Sequence, residues 1–143
     1  MNDSNSEKIY QRSVFLWPHI SPSTAKNRNL QDIVTGPQNV TVILLVLNEE
    51  VSIGSVILQT KKYSRRIIVV DNGSSDLTVD IAKIAGAEVI PYPGNRKWEI
   101  LLKKGILTAC DSEIIIIMDS KVCHDPALIP KMIDPLINGN FDV

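Results

Sequence analysis

The chain has 143 residues, 44% of them hydrophobic and 22% charged, proportions of one ordinary globular domain that can bury a core without disulfide or metal staples. Fifteen Lys and Arg against sixteen Asp and Glu leave a net charge of −1, which gives no electrostatic footprint for nucleic acid. The longest apolar runs, Val42–Leu47 and Ile114–Met118, are far too short to span a bilayer, and the polar N-terminus has no signal-peptide stretch.

Residues 1–39 carry Pro18, Pro22 and Pro37 among many Ser, Asn and Gln, with no sustained periodicity. They read as a polar N-terminal arm in which Val14–Trp17 is the one segment expected to pack. Residues 40–143 read as a domain. Val40–Leu47 is a continuous β-branched and leucine run, the mark of a strand buried on both faces. Asn48 is placed to cap a helix over about Glu49–Lys62, with Ile53, Val56, Ile57 and Thr60 on its apolar face. The basic cluster Lys61, Lys62, Arg65 and Arg66 at its end reads as a solvated last turn favoured by the helix dipole.

A second buried strand follows over Arg66–Val70, then the turn Asp71-Asn72-Gly73-Ser74-Ser75. Ser74 or Ser75 is expected to cap a helix bearing Leu77, Ile81, Ala82 and Ala85, which Gly86 stops. Ala87–Ile90 forms a third short strand closed by Pro91 and Pro93, and Lys97–Ala109 a third helix. Glu113–Met118, almost pure isoleucine, is the fourth strand. Pro126 opens a last helix that Pro135 is expected to disrupt. Strand and helix alternating with short joints predict an α/β fold, a mostly parallel sheet with right-handed crossovers and helices on both faces. Phe141-Asp142-Val143 resembles the start of a further strand, so the sheet is expected to be incomplete at the C-terminus.

Ligands of open parallel sheets bind outside the carboxyl ends of the strands, near the point where strand order reverses. Three polar positions fall at such ends here: Asn48-Glu49-Glu50, Asp71 and Asp119. One strand-end Asp commonly starts a turn; three carboxylate positions on one rim point to ligand binding. There is no G-x-G-x-x-G after the first strand, no G-x-x-x-x-G-K-[ST] and no G-x-S-x-G. Those absences disfavour a dinucleotide oxidoreductase, a P-loop phosphate binder and a serine hydrolase. Cys123-His124-Asp125 is the only cluster of metal-ligand types, too small for a zinc site by itself. Cys110 and Cys123 make no CxxC pair, so a reducing, cytoplasmic setting is expected.

Val42–Glu50 (VILLVLNEE), Ile67–Thr78 (IIVVDNGSSDLT) and Ile114–Pro126 (IIIIMDSKVCHDP) resemble the three leading motifs of the family 2 glycosyltransferases with the GT-A fold. The similarity runs from about Val40 to Val143. It is close to the dolichol-phosphate mannose synthases and to the glucosyl-3-phosphoglycerate synthases, the latter through the leucine of LNEE, Gly54-Ser55-Val56 and Asp119-Ser120. The resemblance implies a protein that binds a nucleotide-activated sugar, UDP- or GDP-linked, for transfer to an acceptor. It places Asn48 and Glu49 at the start of the donor pocket and Asp71 on the nucleotide base, followed by Asn72, Gly73 and Ser74. Removal of Asp71, at a strand end, is expected to weaken nucleotide binding and leave the fold intact. Asp119 matches the first aspartate of an Asp-x-Asp element that holds the diphosphate with Mg²⁺ or Mn²⁺, and the acceptor-activating base would lie beyond residue 143.

Departures from the family pattern are equally plain. Lys121 stands where the second aspartate of Asp-x-Asp is expected, placing an ammonium at a metal-ligand position. Cys123 stands where mannose-synthase relatives often carry Gln, Leu45 and Leu47 replace a Pro-x-Tyr, and Asn72 replaces a second aspartate. The Gly-Lys-Gly that lies near the diphosphate in the family has no clear counterpart in Asn95–Glu99, its central residue being Lys97 or Trp98. Two readings of Lys121 stand side by side. In one, Lys121 with Arg96 or Lys97 supplies the charge that a metal gives elsewhere. In the other, the chain is a non-catalytic remnant that binds a nucleotide or a partner. An incomplete parallel sheet leaves an open edge and an apolar face, so a homo-oligomer or a partner chain completing the sheet is also expected.

Overall fold

The computed structural model describes residues 14–15, 40–64, 66–119 and 125–137. In chain order the elements are β1 (Val14–Phe15), β2 (Val40–Val46), α1 (Ile53–Thr60), β3 (Arg66–Asp71), α2 (Thr78–Ile84), β4 (Glu88–Pro91), α3 (Trp98–Thr108) and β5 (Ile114–Asp119). A 3₁₀ turn at Pro126–Leu128 then leads into α4 (Ile129–Ile137). Trp17, Lys121, Cys123, His124 and Phe141–Val143, to which the sequence reading gave roles, lie outside the described residues.

The sheet has the order β1-β5-β2-β3-β4. Strands β2 to β5 are parallel, and the two-residue β1 pairs antiparallel with β5 through Val14 opposite Ile116 and Phe15 opposite Ile115. The chain therefore steps outward from β2 to β3 and β4, then returns to the other side of β2 for β5. Order reverses between β2 and β5.

β-Branched runs form the central strands because both faces are covered. On β2, Val40, Val42, Leu44 and Val46 point to one side, where they meet Ile53 and Ile57 of α1, Ala82 of α2, and Ile129 and Ile133 of α4. Ile43 points to the other side, into a cluster with Ile68, Val70, Ile115 and Ile117 and with Leu101 and Leu102 of α3. Each fully buried side chain of this kind contributes about 1.5–3 kcal/mol. The two outward crossovers put α1 and α2 on one face, and the returning crossover puts α3 on the other, as right-handed connections require. The result is the α/β architecture expected from the sequence, with helices on both faces.

The far end of the sheet is tied by polar groups. Arg66, read in the sequence as part of a solvated cluster, instead donates to Asp111 at 2.6 Å and to the Thr108 carbonyl at 3.1 Å, and reaches Glu88 at 3.4 Å. Burial would lower its pKa, but the carboxylates of Asp111 and Glu88 together outweigh burial and raise it. The Thr41 and Ser112 hydroxyls, both buried, share a hydrogen bond of 2.6 Å.

Three helix ends differ from expectation. Helix α1 begins at Ile53 rather than Glu49, and Asn48, at φ 53°, is not its cap. The N–H groups of Asn48, Glu49 and Glu50 are taken by side chains of a neighbouring turn, so the helix cannot start until they are passed. Helix α2 begins at Thr78, capped by neither Ser74 nor Ser75, because both serines serve the turn before it. Helix α4 continues through Pro135 to Ile137. Pro135 lies in its last turn, where little helix remains to be broken. The stop at Gly86 is as expected: at φ 87° it donates to the Lys83 carbonyl while Ala87 donates to that of Ala82.

Helix α3 approaches the sheet closely at Gly105. A Cβ there would lie 2.8 Å from Ile43 Cγ2 and 3.3 Å from Val70 Cγ2, both in the packed core. Gly105→Ala gains about 1 kcal/mol of helix propensity and loses about 1–3 kcal/mol to overpacking. The expected outcome is a lower urea midpoint at unchanged slope. A variant as stable as the parent would show that α3 can lift off the sheet freely.

Candidate functional site

The carboxyl ends of β2, β3, β4 and β5 form one rim, with Val46 level with Asp71, Asp71 with Pro91, and Leu45 with Asp119. Two turns on this rim are joined by exchanged hydrogen bonds. In one direction, Asn48 N–H donates to Ser74 Oγ at 2.8 Å, Glu49 N–H to Thr78 Oγ1 at 2.7 Å, and Glu50 N–H to Asp76 Oδ2 at 3.2 Å. In the other, Ser75 N–H donates to Asn48 Oδ1 at 2.9 Å and Leu77 N–H to Glu50 Oε2 at 3.0 Å. Asn48 reaches its position in the left-handed region, which Asn tolerates better than most side chains.

Asp71 ends β3 only 3% exposed. Its Oδ2 accepts from Gly73 N–H at 3.1 Å and Ser74 N–H at 3.0 Å, and its Oδ1 accepts from the Ser74 hydroxyl. Ser74 Oγ thus donates to Asp71 and accepts from Asn48, linking the carboxylate to the neighbouring turn. Gly73 sits at φ 83°, and a Cβ on it would lie 3.3 Å from the Gly94 nitrogen. Glycine is needed there both for the backbone angle and for the approach of the loop after β4.

That loop is tied to the same turn. Tyr92 N–H donates to the Asp71 carbonyl at 2.8 Å, and Asn72 N–H donates to the Val46 carbonyl at 2.9 Å. The Asn72 carboxamide makes two bonds to one residue, from Nδ2 to the Arg96 carbonyl at 3.1 Å and to Oδ1 from Arg96 N–H at 2.9 Å. Lys97, next in sequence, is exposed and forms the N-terminal boundary of α3.

The structure therefore brings Asn48, Glu49, Asp71, Asn72, Gly73 and Ser74 into one bonded unit, with Lys97 on the loop attached to it. Asp119 stands on the adjacent strand end and is exposed. Lys121 lies outside the described residues. Glu49 is 8% exposed; its Oε2 accepts from Ser52 Oγ at 3.1 Å, while its Oε1 is buried with no hydrogen-bond partner. Among the described residues no group of three His, Cys, Asp or Glu could hold a metal ion.

Glu50, read in the sequence only as a rim position, and Ser75, read only as a helix cap, complete the bonding between the turns together with Asp76 and Thr78, which sequence reasoning missed. The available signal was the density of cap-forming types in Ser74-Ser75-Asp76-Leu77-Thr78. Burial pushes the Asp76 carboxyl up, but bonds from the Thr78 hydroxyl, the Thr78 N–H and the Glu50 N–H outweigh it and hold the group below the usual aspartate range.

The family model described as "Glycosyl transferase family 2" matches residues 41–143. A glucosyl-3-phosphoglycerate synthase of Mycolicibacterium smegmatis is 36% identical over 115 residues, covering 70% of this chain and 37% of that protein. Protein RfbJ of Shigella flexneri is 31% identical over 107 residues, covering 73% of this chain and 81% of that protein. Among solved structures, glucosyl-3-phosphoglycerate synthase from Mycobacterium tuberculosis in complex with Mn²⁺ and uridine-diphosphate-glucose matches with a TM-score of 0.64 at 26% identity. That match covers 79% of this chain and 45% of the other. The chain thus spans less than half the length of the glucosyl-3-phosphoglycerate synthases that it matches.

Two outcomes test this geometry. Removal of Asp71 is expected to leave the fold intact, but the carboxylate is buried and takes three donors from the turn, which gives its removal a cost in stability. Asp71→Ala should cost about 1–3 kcal/mol of unfolding free energy, read from urea denaturation; an unchanged midpoint would place the carboxylate outside the turn's support. For Asp76, whose folded pKa is depressed, the stability contribution is full above the unfolded value of about 4. It is lost as the pH falls through the lower folded value. Acid unfolding should therefore be shallower in Asp76→Asn than in the parent, and identical pH slopes would remove Asp76 from the linkage.

Proposed function

Because the chain belongs to the family 2 glycosyl transferases, we propose that its rim binds a nucleotide-activated sugar, UDP- or GDP-linked, for transfer of the glycosyl group to an acceptor. The observation that carries this reading is Glu49 Oε1, buried without a partner in the turn after β2, beside the point where strand order reverses. An unpartnered buried acceptor costs about 1–3 kcal/mol, and a hydroxyl of the donor would satisfy it once the turn opened enough to expose that oxygen. Asn48, Asp71, Asn72, Gly73 and Ser74 form the floor. Three lone pairs of the Asp71 carboxylate already serve the turn, leaving one on Oδ1 for a base N–H. The reading places the chain in the cytoplasm, a setting that suits the exposed free thiol of Cys110.

Transfer would break the bond between the anomeric carbon and the diphosphate and form one to an acceptor oxygen, with negative charge growing on the leaving diphosphate. A divalent cation supplies the compensating charge when one is bound, and the solved relative from M. tuberculosis is in complex with Mn²⁺. The donor set of this chain does not fit such an ion. Asp119 offers one carboxylate, no cluster of three ligand types exists among the described residues, and the sequence puts Lys121 at the next expected ligand position. We assign the charge instead to Lys121 with Arg96 or Lys97. A second reading, a module that binds the donor or a partner without turnover, is favoured by the same lysine.

Calorimetry with UDP-glucose and GDP-mannose, with Mn²⁺ and with chelator, tests the proposal. Binding should be the same within about twofold in Mn²⁺ and in chelator, and should weaken with salt as the diphosphate contacts are screened. Lys121→Asp should introduce a requirement for Mn²⁺. If the parent chain binds only with Mn²⁺, Lys121 is not in the metal position; if neither form binds a donor, the partner-binding module is the better description. Release of free UDP or GDP on adding acceptor mixtures separates turnover from binding.

A further inference from the structure

Five carboxylates, those of Glu49, Glu50, Asp71, Asp76 and Asp119, stand on or under a rim read as binding a diphosphate, so the placing of cations near it decides whether an anion can be held. Arg96 and Lys97 are both exposed, and neither makes an ion pair with the described residues. Both lie in the segment between Tyr92, anchored to Asp71, and the start of α3. Among the described residues, Asn72 provides the only side-chain hydrogen bonds to residues 93–97.

Those two bonds have a chemical requirement. One demands a donor and the other an acceptor, on adjacent atoms of a short planar group, so that the side chain copies one rung of an antiparallel ladder. A carboxylate could accept from Arg96 N–H but would set an oxygen against the Arg96 carbonyl. Leu, Ser or Ala could not make both bonds at once. Asn72 is thus the one amide in a turn otherwise built by Asp71, Gly73 and Ser74, and its own backbone N–H is fixed to Val46, on the central strand. The two segments also approach closely at their glycines, where a Cβ on Gly73 would lie 3.3 Å from the Gly94 nitrogen.

We infer that Asn72 is a positioning residue for the donor's diphosphate: its carboxamide fixes the Arg96–Lys97 segment to the rim and so sets where these two cations stand. The inference rests on the donor-binding reading above, and it assigns Asn72 a different part in it, that of a clamp on the basic loop rather than a contact to the nucleotide.

NMR titration of Asn72→Ala and Asn72→Asp with UDP and GDP, set beside uridine and guanosine, separates this role from a purely structural one. Losing the clamp should weaken the diphosphates about tenfold, the scale of one charge-assisted bond, while nucleoside affinity stays within about twofold of the parent. Exchange of the Arg96 amide proton should quicken in Asn72→Ala, which loses its acceptor, and the spectra themselves report that each variant is folded. Equal weakening of nucleoside and diphosphate would mean that Asn72 supports the whole turn, and no weakening of either would mean that the cations are not placed by it; both results overturn the inference. If the parent chain takes up none of the four compounds, the donor reading fails by itself and takes the diphosphate role with it. The clamp is then judged by Arg96 exchange alone, and unchanged exchange in Asn72→Ala refutes it.

Discussion

The whole rim depends on two turns whose side chains accept hydrogen bonds from each other's backbone N–H groups. The starts of α1 and α2 each leave N–H groups with no partner inside the helix, a general property of helix N-termini. Neither helix has a side-chain cap of its own. The donors that precede α1 are met by Ser74, Asp76 and Thr78, and those that precede α2 by Asn48 and Glu50. Each turn completes the other. The hydroxyls do double work, since Ser74 Oγ and Thr78 Oγ1 accept from one turn while donating to Asp71 and Asp76 in the other. What looks like a set of separate loops at strand ends is therefore one hydrogen-bonded polar plate, and a ligand at the sheet's carboxyl edge would meet it as such.

The sheet itself was legible in the sequence. Val40–Val46 and Ile114–Asp119 are runs with hardly a polar residue, and only a strand covered on both faces accommodates such a run in so short a segment. The extent of α3 and the stop of α2 at Gly86 were legible for local reasons, periodicity in one case and a left-handed residue in the other. The helix starts were not. Capping rules look two or three residues ahead, whereas the acceptors here lie 26 residues away for Asn48 and 29 for Glu49. The site was legible as positions and illegible as roles: Asp71 stands where the motif put it, but its carboxylate faces inward to the turn, and Asn72 faces sideways to Arg96. No feature of the sequence pairs residue 72 with residue 96; only the Gly73–Gly94 contact of two left-handed glycines does.

Charge gives the rim its other constraint. A carboxyl edge populated by Glu49, Glu50, Asp71 and Asp76 is poorly suited to a diphosphate until something offsets it. Much of that acidity is already engaged, because Asp71, Asp76 and Glu50 spend their oxygens on backbone donors and present less free charge outward than a count of residues suggests. The synthase of M. tuberculosis is in complex with Mn²⁺ and UDP-glucose. On the donor-binding reading proposed above, Asp119 takes the first position of the metal motif and Lys121, two residues on, sets an ammonium at the second, so scaffold and charge distribution would part company at that strand end.

The exchange between the turns also orders events in time. Bonds that close 26 to 29 residues of chain contribute nothing until β2 and β3 have paired along their length, because only then do the two turns face each other. The entropy of closing those loops is spent by the strands, and the rim is assembled afterwards without further closure. The polar plate should thus form late in folding, after the strands have crossed the barrier. A ligand held by it would then slow the opening of the native protein and leave the first collapse of the chain nearly untouched.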